Sequence, residues 1–248
     1  MSACRFLATN CLIAVFVASL SAQEKLNVPP PGYVALFNGK DLTGWRGIPC
    51  RPNPNKKNAD GVSPLTMPQR LNASPSELAA AQELGDKVAR EHWSVENGVL
   101  VFDGKGQNLV TDKDYGDFEL LVDWKIKEKG DSGIYLRGTP QIQIWDPFTS
   151  PNTKTGEDKG SGGVFNNQKN PKEPTAMADR PIGEWNTFWI KIVGDKVSVK
   201  LNDKLVVDNV TMENYWERDK PLYPKGTIEL QNHGNTLYFR NIFIKELK

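Results

Sequence analysis

His233, Asp146 and Arg137 are the side chains of this sequence best suited to moving or holding charge in a reaction. An imidazole, with an ordinary pKa of about 6.5, changes charge close to neutrality, so His233 is the favoured general base. Its alternative is a turn histidine before Gly234 that bonds the backbone. Asp146, followed by Pro147, is a second base, a metal ligand or a turn former. Arg137 can grip an oxygen through two N–H groups. Its alternative is a salt bridge across a sheet to Glu119 or Asp123. His92 ends a helical stretch and is read as a contact to the helix C-terminus.

Around these stand residues that suit a flat, hydroxylated ring. Side chains on a strand alternate between faces. Residues 131–146 read as two short strands joined at Gly138-Thr139-Pro140. Ile134, Leu136, Ile142 and Ile144 fall on the apolar side, with Tyr135, Arg137, Gln141, Gln143 and Trp145 opposite. Glu229, Gln231 and His233 have one parity further on, so they share a face as well. The glutamines can bind sugar hydroxyls or be ordinary exposed strand polars. Tyr135, Trp145 and Trp185 are candidate platforms for a pyranose, although aromatics in a sandwich more often fill the core. Glu184 is a candidate acid or a turn residue after Gly183. Asp146 with Glu184 or Glu229 would be a carboxylate pair of the kind ordinary glycosidases use.

The elements that must position these groups are mostly strands. Residues 118–126 alternate strictly, and so do residues 188–192. Asn38-Gly39 and Asn202-Asp203 are turns. The parity of the last strand shifts near Arg240-Asn241, which predicts a bulge. Ser74-Pro75-Ser76-Glu77 has capping-box spacing and starts one helix over residues 75–91. Residues 48–71, rich in Pro, Asn and Lys, read as a surface insertion. Residues 147–180 form a long loop of the kind that serves as a lid or a mobile segment. Many short strands, turns between them and a peripheral helix predict an all-β sandwich, residues 33–248, after an extended leader at 23–32.

Composition narrows the partners. The net charge is +1, with no basic tract, so nucleic acid is not expected. Arg5, an apolar run at residues 6–20 and the small residues up to Ala22 read as a signal peptide over residues 1–22. The mature protein is then secreted or periplasmic and has no later membrane span. Cleavage leaves Cys50 as the one cysteine, so no intrachain disulfide forms. With two histidines in all, a four-ligand structural zinc site is excluded. The sequence points to no organic cofactor and leaves a divalent metal open. Asp112-Lys113-Asp114-Tyr115-Gly116-Asp117 lacks calcium-loop spacing and reads as a solvated turn.

Five ordered pieces resemble the 3-keto-disaccharide hydrolase domain family. They are residues 36–45 (Leu-Phe-Asn-Gly-Lys-Asp-Leu-Thr-Gly-Trp), residues 131–146, Gly183-Glu184-Trp185-Asn186, Leu201-Asn202-Asp203, and residues 228–234 with Phe239-Arg240-Asn241-Ile242. The resemblance implies a concanavalin-A-like jelly roll with a concave sugar-binding face, acting on glycosides already oxidised at C3. A C3 ketone acidifies the hydrogen on C2. A base removes it, the C1 group leaves by β-elimination, and water adds back for net hydrolysis. This needs a base, a stabiliser for the enolate oxygen and a polar face for the ring. His233 is the expected base with Asp146 second, Arg137 the expected stabiliser, and Tyr135, Gln141, Gln143, Trp145, Glu184, Trp185, Glu229 and Gln231 the expected substrate contacts. The family often has Glu where this chain has Gln141, so any base role there does not transfer. The insertion is also longer than in the family core. A non-catalytic carbohydrate-binding sandwich is the alternative.

Overall fold

The computed structural model describes residues 25–55, 60–149 and 151–248. The signal peptide read at residues 1–22 lies outside them. The first strands are β1 (Val34–Ala35), β2 (Trp45–Gly47), β3 (Cys50–Pro52) and β4 (Val62–Pro64). Helices α1 (Met67–Asn72) and α2 (Pro75–His92) follow. Then come β5 (Trp93–Glu96), β6 (Val99–Phe102), β7 (Leu109–Thr111), β8 (Phe118–Ile126), β9 (Asp131–Tyr135) and β10 (Gln141–Trp145). The chain closes with β11 (Asn186–Val193), β12 (Lys196–Leu201), β13 (Lys204–Thr211), β14 (Glu229–Leu230) and β15 (Leu237–Glu246).

The strands make an antiparallel jelly-roll β-sandwich of the concanavalin-A-like kind. The larger sheet runs β13-β12-β11-β8-β15-β6-β5, with β1 on β15. The smaller runs β10-β9-β14-β7-β2. Strict alternation in β8 sends Phe118, Leu120, Val122, Trp124 and Ile126 inward. They join Ile134, Ile142, Ile144 and Leu230 of the smaller sheet in one core. Each fully buried side chain of this size stabilises by about 1.5–3 kcal/mol. The shift expected near Arg240-Asn241 is a bulge between Arg240 and Phe243, with Asn241 at φ 51°. Asn241 also exchanges two hydrogen bonds with Asn27, which fastens the leader to the sandwich.

Two expectations need correction. Residues 48–71 are not merely surface. Ile48, Cys50 and Val62 pack with Val88 of α2 and Val110 of β7 as a second small core. These apolar residues are scattered singly among polar ones, so no period announces them. The insertion also holds a second helix, α1, where one helix was expected. Thr66 and Gln69 form its capping box, the same signature that Ser74 and Glu77 form for α2. Gly47 and Gly85 let α2 lie directly on β2, since a Cβ on Gly47 would stand 1.9 Å from the Gly85 carbonyl oxygen.

The long loop is held against the smaller sheet. Its Gly162, Gly163 and Phe165 exchange backbone hydrogen bonds with Gln141 and Gln143 of β10. Further along, the carboxylate of Glu213 accepts from the backbone amides of Gln168, Lys169 and Asn170. Burial opposes its charge, but these bonds outweigh it and bring its pKa to about 2.

Candidate active site on the smaller sheet

Strand register sets out the face as a grid. Arg46, Val110, Glu229, Tyr135 and Gln141 are successive partners across β2, β7, β14, β9 and β10. One step along, Gly133 pairs with Gln143, and Gln231 donates its backbone N–H to the Gly133 carbonyl at 2.9 Å. A further step pairs Asp131 with Trp145. Neighbouring strands stand about 4.8 Å apart, so Glu229, Tyr135, Gln141, Gln143 and Asp131 form one polar patch, bordered on β7 by Val110 of the second core. Their neighbours Ile134, Ile142, Ile144 and Leu230 point into the core.

The amides interlock over Gly133. Gln141 Nε2 donates to Gln143 Oε1 at 2.6 Å and to Gln231 Oε1 at 3.0 Å. Gln231 Nε2 in turn donates to the Tyr135 hydroxyl at 3.3 Å. Gln143 Nε2 donates to Asp131 Oδ1 at 2.7 Å. At the end of this chain, His233 Nδ1 lies 3.2 Å from Asp131 Oδ2, with the imidazole 59% exposed. The face therefore runs as one hydrogen-bonded series from Tyr135 to Asp131, with the His233 imidazole beside that carboxylate as an ion-pair neighbour. Burial pushes the Asp131 carboxyl above its ordinary range, against the pull of His233 and the Gln143 hydrogen bond. Burial likewise raises Tyr135, helped by nearby Glu229, so it stays protonated at neutral pH. Its hydroxyl accepts from Gln231, and its own hydrogen is not donated within the described residues.

Gly133 is what allows the amides to meet. A Cβ there would stand 2.3 Å from Gln141 Nε2 and 2.5 Å from its Cγ, so the side chain would be displaced rather than the backbone. Gly133→Ala is expected to leave Tm within a few degrees and raise KM about tenfold, because the floor loses its fixed donors and acceptors. Steady-state kinetics and a thermal melt of the same preparation check this.

Several expected site residues are elsewhere or otherwise engaged. Arg137 is 3% exposed and points into the end loops of the sandwich. Its guanidinium donates to the carbonyls of Gly116, Gly194 and Tyr223 and pairs with Asp117 at 2.5 Å. The parity reading fails there because β9 ends at Tyr135 and Arg137 turns into the left-handed region at φ 52°. Asp146 lines a cavity of about 460 Å³ with Asp131 and His233. Its own oxygens, however, accept the backbone N–H groups of Lys129, Phe148 and Thr149. Burial would raise its pKa, but these bonds hold it below the usual carboxylate range.

Trp145 is on the face but roofed. Its indole N–H donates to the Gly160 carbonyl at 2.8 Å, and Phe165 packs edge-on at 5.7 Å. Trp185 lies on the other sheet's outer surface, between Arg240 at 4.2 Å and Lys125 at 4.9 Å. Glu184 is an exposed residue of the turn whose N–H bonds Pro181. Glu229 is on the face, 3% exposed, and accepts from Arg70 at 2.5 Å and from Thr227 and Asn108. Neither Glu184 nor Glu229 lines the cavity that Asp146 shares with Asp131 and Glu157.

Two participants were not read from the sequence. Asp131 sat unremarked at the start of the first strand; its partnership with Trp145 in register would have placed it beside the face. Arg70 comes from α1, which was itself unrecognised.

A profile of the 3-keto-alpha-glucoside-1,2-lyase-like domain matches residues 32–245. The chain belongs to that family. It is 25% identical to a 3-keto-disaccharide hydrolase of Bacteroides thetaiotaomicron, over 96% of this chain and 88% of that protein. A crystal structure of a proposed glycosyl hydrolase from Parabacteroides distasonis superposes with a TM-score of 0.64 at 24% identity, covering 90% of this chain and all of that one. A second from the same organism gives 0.53 at 27% identity, over 63% of this chain and 91% of the other. The shared architecture is therefore that of the family, and the chain is a carbohydrate-active enzyme domain.

Proposed function

We propose that this 3-keto-alpha-glucoside-1,2-lyase-like domain cleaves glycosides already oxidised at C3. The observation that carries the reading is the His233–Asp131 pair at the end of the amide face. The carboxylate beside Nδ1 favours the tautomer that carries its hydrogen there, which leaves the Nε2 lone pair free to take the hydrogen from C2. The C2–H electron pair forms the enolate, with the negative charge on the C3 oxygen. Re-formation of the C3 carbonyl makes the C1–C2 double bond and breaks the bond to the C1 substituent, whose oxygen takes the proton now held on His233 Nε2 as it leaves. Water adding at C1 gives net hydrolysis; without it the product is the unsaturated keto sugar. Tyr135 replaces Arg137 in the role of donor to the enolate oxygen, and Gln141, Gln143 and Gln231 bind or order the groups that hold the ring. Export fits the apolar N-terminus, so the protein recovered from the periplasm or medium should begin at Gln23.

The test is to incubate the purified protein with a disaccharide and with its 3-keto derivative. Cleavage confined to the keto sugar is the expected result. Cleavage of the unoxidised sugar sinks the proposal, and binding of both without turnover assigns the face to recognition alone.

A further inference from the structure

His92 ends α2, as the sequence suggested, and its side chain has further partners. Its ring lies between two carboxylates, with Nδ1 2.9 Å from Asp103 Oδ2 and Nε2 2.8 Å from Asp60 Oδ1. Glu91 is adjacent, and one ligand atom each from Asp60, Glu91 and His92 falls within 4.8 Å of the others. Three carboxylates thus surround one imidazole, which carries at most a single positive charge. Among the described residues, neither Asp60 nor Asp103 has an ion-pair partner besides His92, and Glu91 has none.

The Asp60 side chain is 5% exposed, yet its Oδ2 accepts no hydrogen bond from the described residues. A buried carboxylate oxygen left without a partner is costly unless something positive meets it. Two other features suit a metal. Adjacent ligands with bonds of about 2.1 Å stand about 3 Å apart around an octahedral cation and about 3.4 Å apart around a tetrahedral one, and the Asp60–His92 spacing of 2.8 Å is nearer the first. A metal-bound histidine also commonly donates its other ring N–H to a carboxylate, and Asp103 is placed to accept it.

We propose that Asp60, Glu91 and His92 bind one divalent cation, with Asp103 orienting the imidazole. One nitrogen and two carboxylate ligands favour Mn²⁺ or Zn²⁺ over the all-oxygen preferences of Ca²⁺ and Mg²⁺. This differs from the four-ligand zinc site that the cysteine and histidine counts exclude. The cation joins the β3–β4 hairpin, the end of α2 and the turn after β6. That turn continues to Gly106, which packs on His92 and accepts from Asn232, the residue before His233. The site therefore staples the insertion to the sandwich beside the candidate active face without lying on it.

The full chain, stripped with a chelator and then freed of it, is titrated with MnCl₂ or ZnCl₂ by calorimetry and melted with and without each metal. One equivalent should bind, with Tm rising about 3–6 °C. Asp60→Asn and His92→Gln should each weaken binding at least about tenfold. Asp103→Asn keeps all three ligands and should also weaken it about tenfold. Wild-type protein that is folded by circular dichroism and takes up neither metal would overturn the proposal. So would binding that folded Asp60→Asn or Asp103→Asn leaves unchanged.

Discussion

His233→Gln is expected to lower kcat on a 3-keto-disaccharide by about 10²- to 10⁴-fold, the usual worth of a positioned general base. Substrate binding should change little, because the amide floor is intact. Asp131→Asn should cost less, about 10- to 100-fold, since the imidazole remains but its tautomer is no longer held. The pH profile separates this from loss of folding. Asp131 must be charged to accept the Nδ1 hydrogen, and burial pushes its carboxyl upward. As pH falls, it is therefore protonated earlier than an ordinary aspartate, and kcat/KM declines with it. In Asp131→Asn that contribution to the acid limb should vanish, and the whole profile should sit lower. Rate–pH curves for the three proteins decide the matter. Wild-type kcat in His233→Gln would remove the histidine from the mechanism.

Arg137→Ala is expected to act on stability. The side chain is almost fully buried and satisfies three carbonyls and Asp117 from separate loops. Removing it leaves those groups unpaired and should cost roughly 2–4 kcal/mol. For a chain of this size that lowers Tm by roughly 5–15 °C. Activity per folded molecule should stay within about threefold of wild type. Arg137→Lys keeps the charge near Asp117 but cannot span the carbonyls, so it should be intermediate in stability and active. A stable Arg137→Lys protein with kcat down a hundredfold would return the guanidinium to the enolate oxygen.

Arg137 and Asp146 are both engaged by backbone groups. Arg137 reaches carbonyls distant in sequence, whereas Asp146 closes a local turn on Phe148 and Thr149, the turn-former reading the sequence already offered, and adds a distant partner. Asp146 accepts from Lys129, which precedes β9, and Arg137 donates to Gly116, Gly194 and Tyr223. A hydrogen-bond partner brought in by a loop leaves no mark on the residue that receives it. His92 stands at the end of α2 as expected, but its partners Asp60 and Asp103, which reach it from a hairpin and a turn, left no such mark. Trp185 was a candidate sugar platform as an aromatic side chain, yet it precedes β11, which belongs to the larger sheet.

The sequence by itself determined which side of each strand is apolar. That property is local: successive Cβ atoms point to opposite faces, so residues 118–126, 131–135 and 141–145 carry their core and their polar surface in plain alternation. It also determined both capping boxes, although one went unread, and the bulge near Asn241. Only the tertiary structure decided which polar surfaces meet. Placing β14 beside β9 sets Glu229 opposite Tyr135 and brings His233 to Asp131, across a separation of about a hundred residues. Register between distant strands depends on how the whole core packs, and a shift of one residue would send the same side chains to the other face.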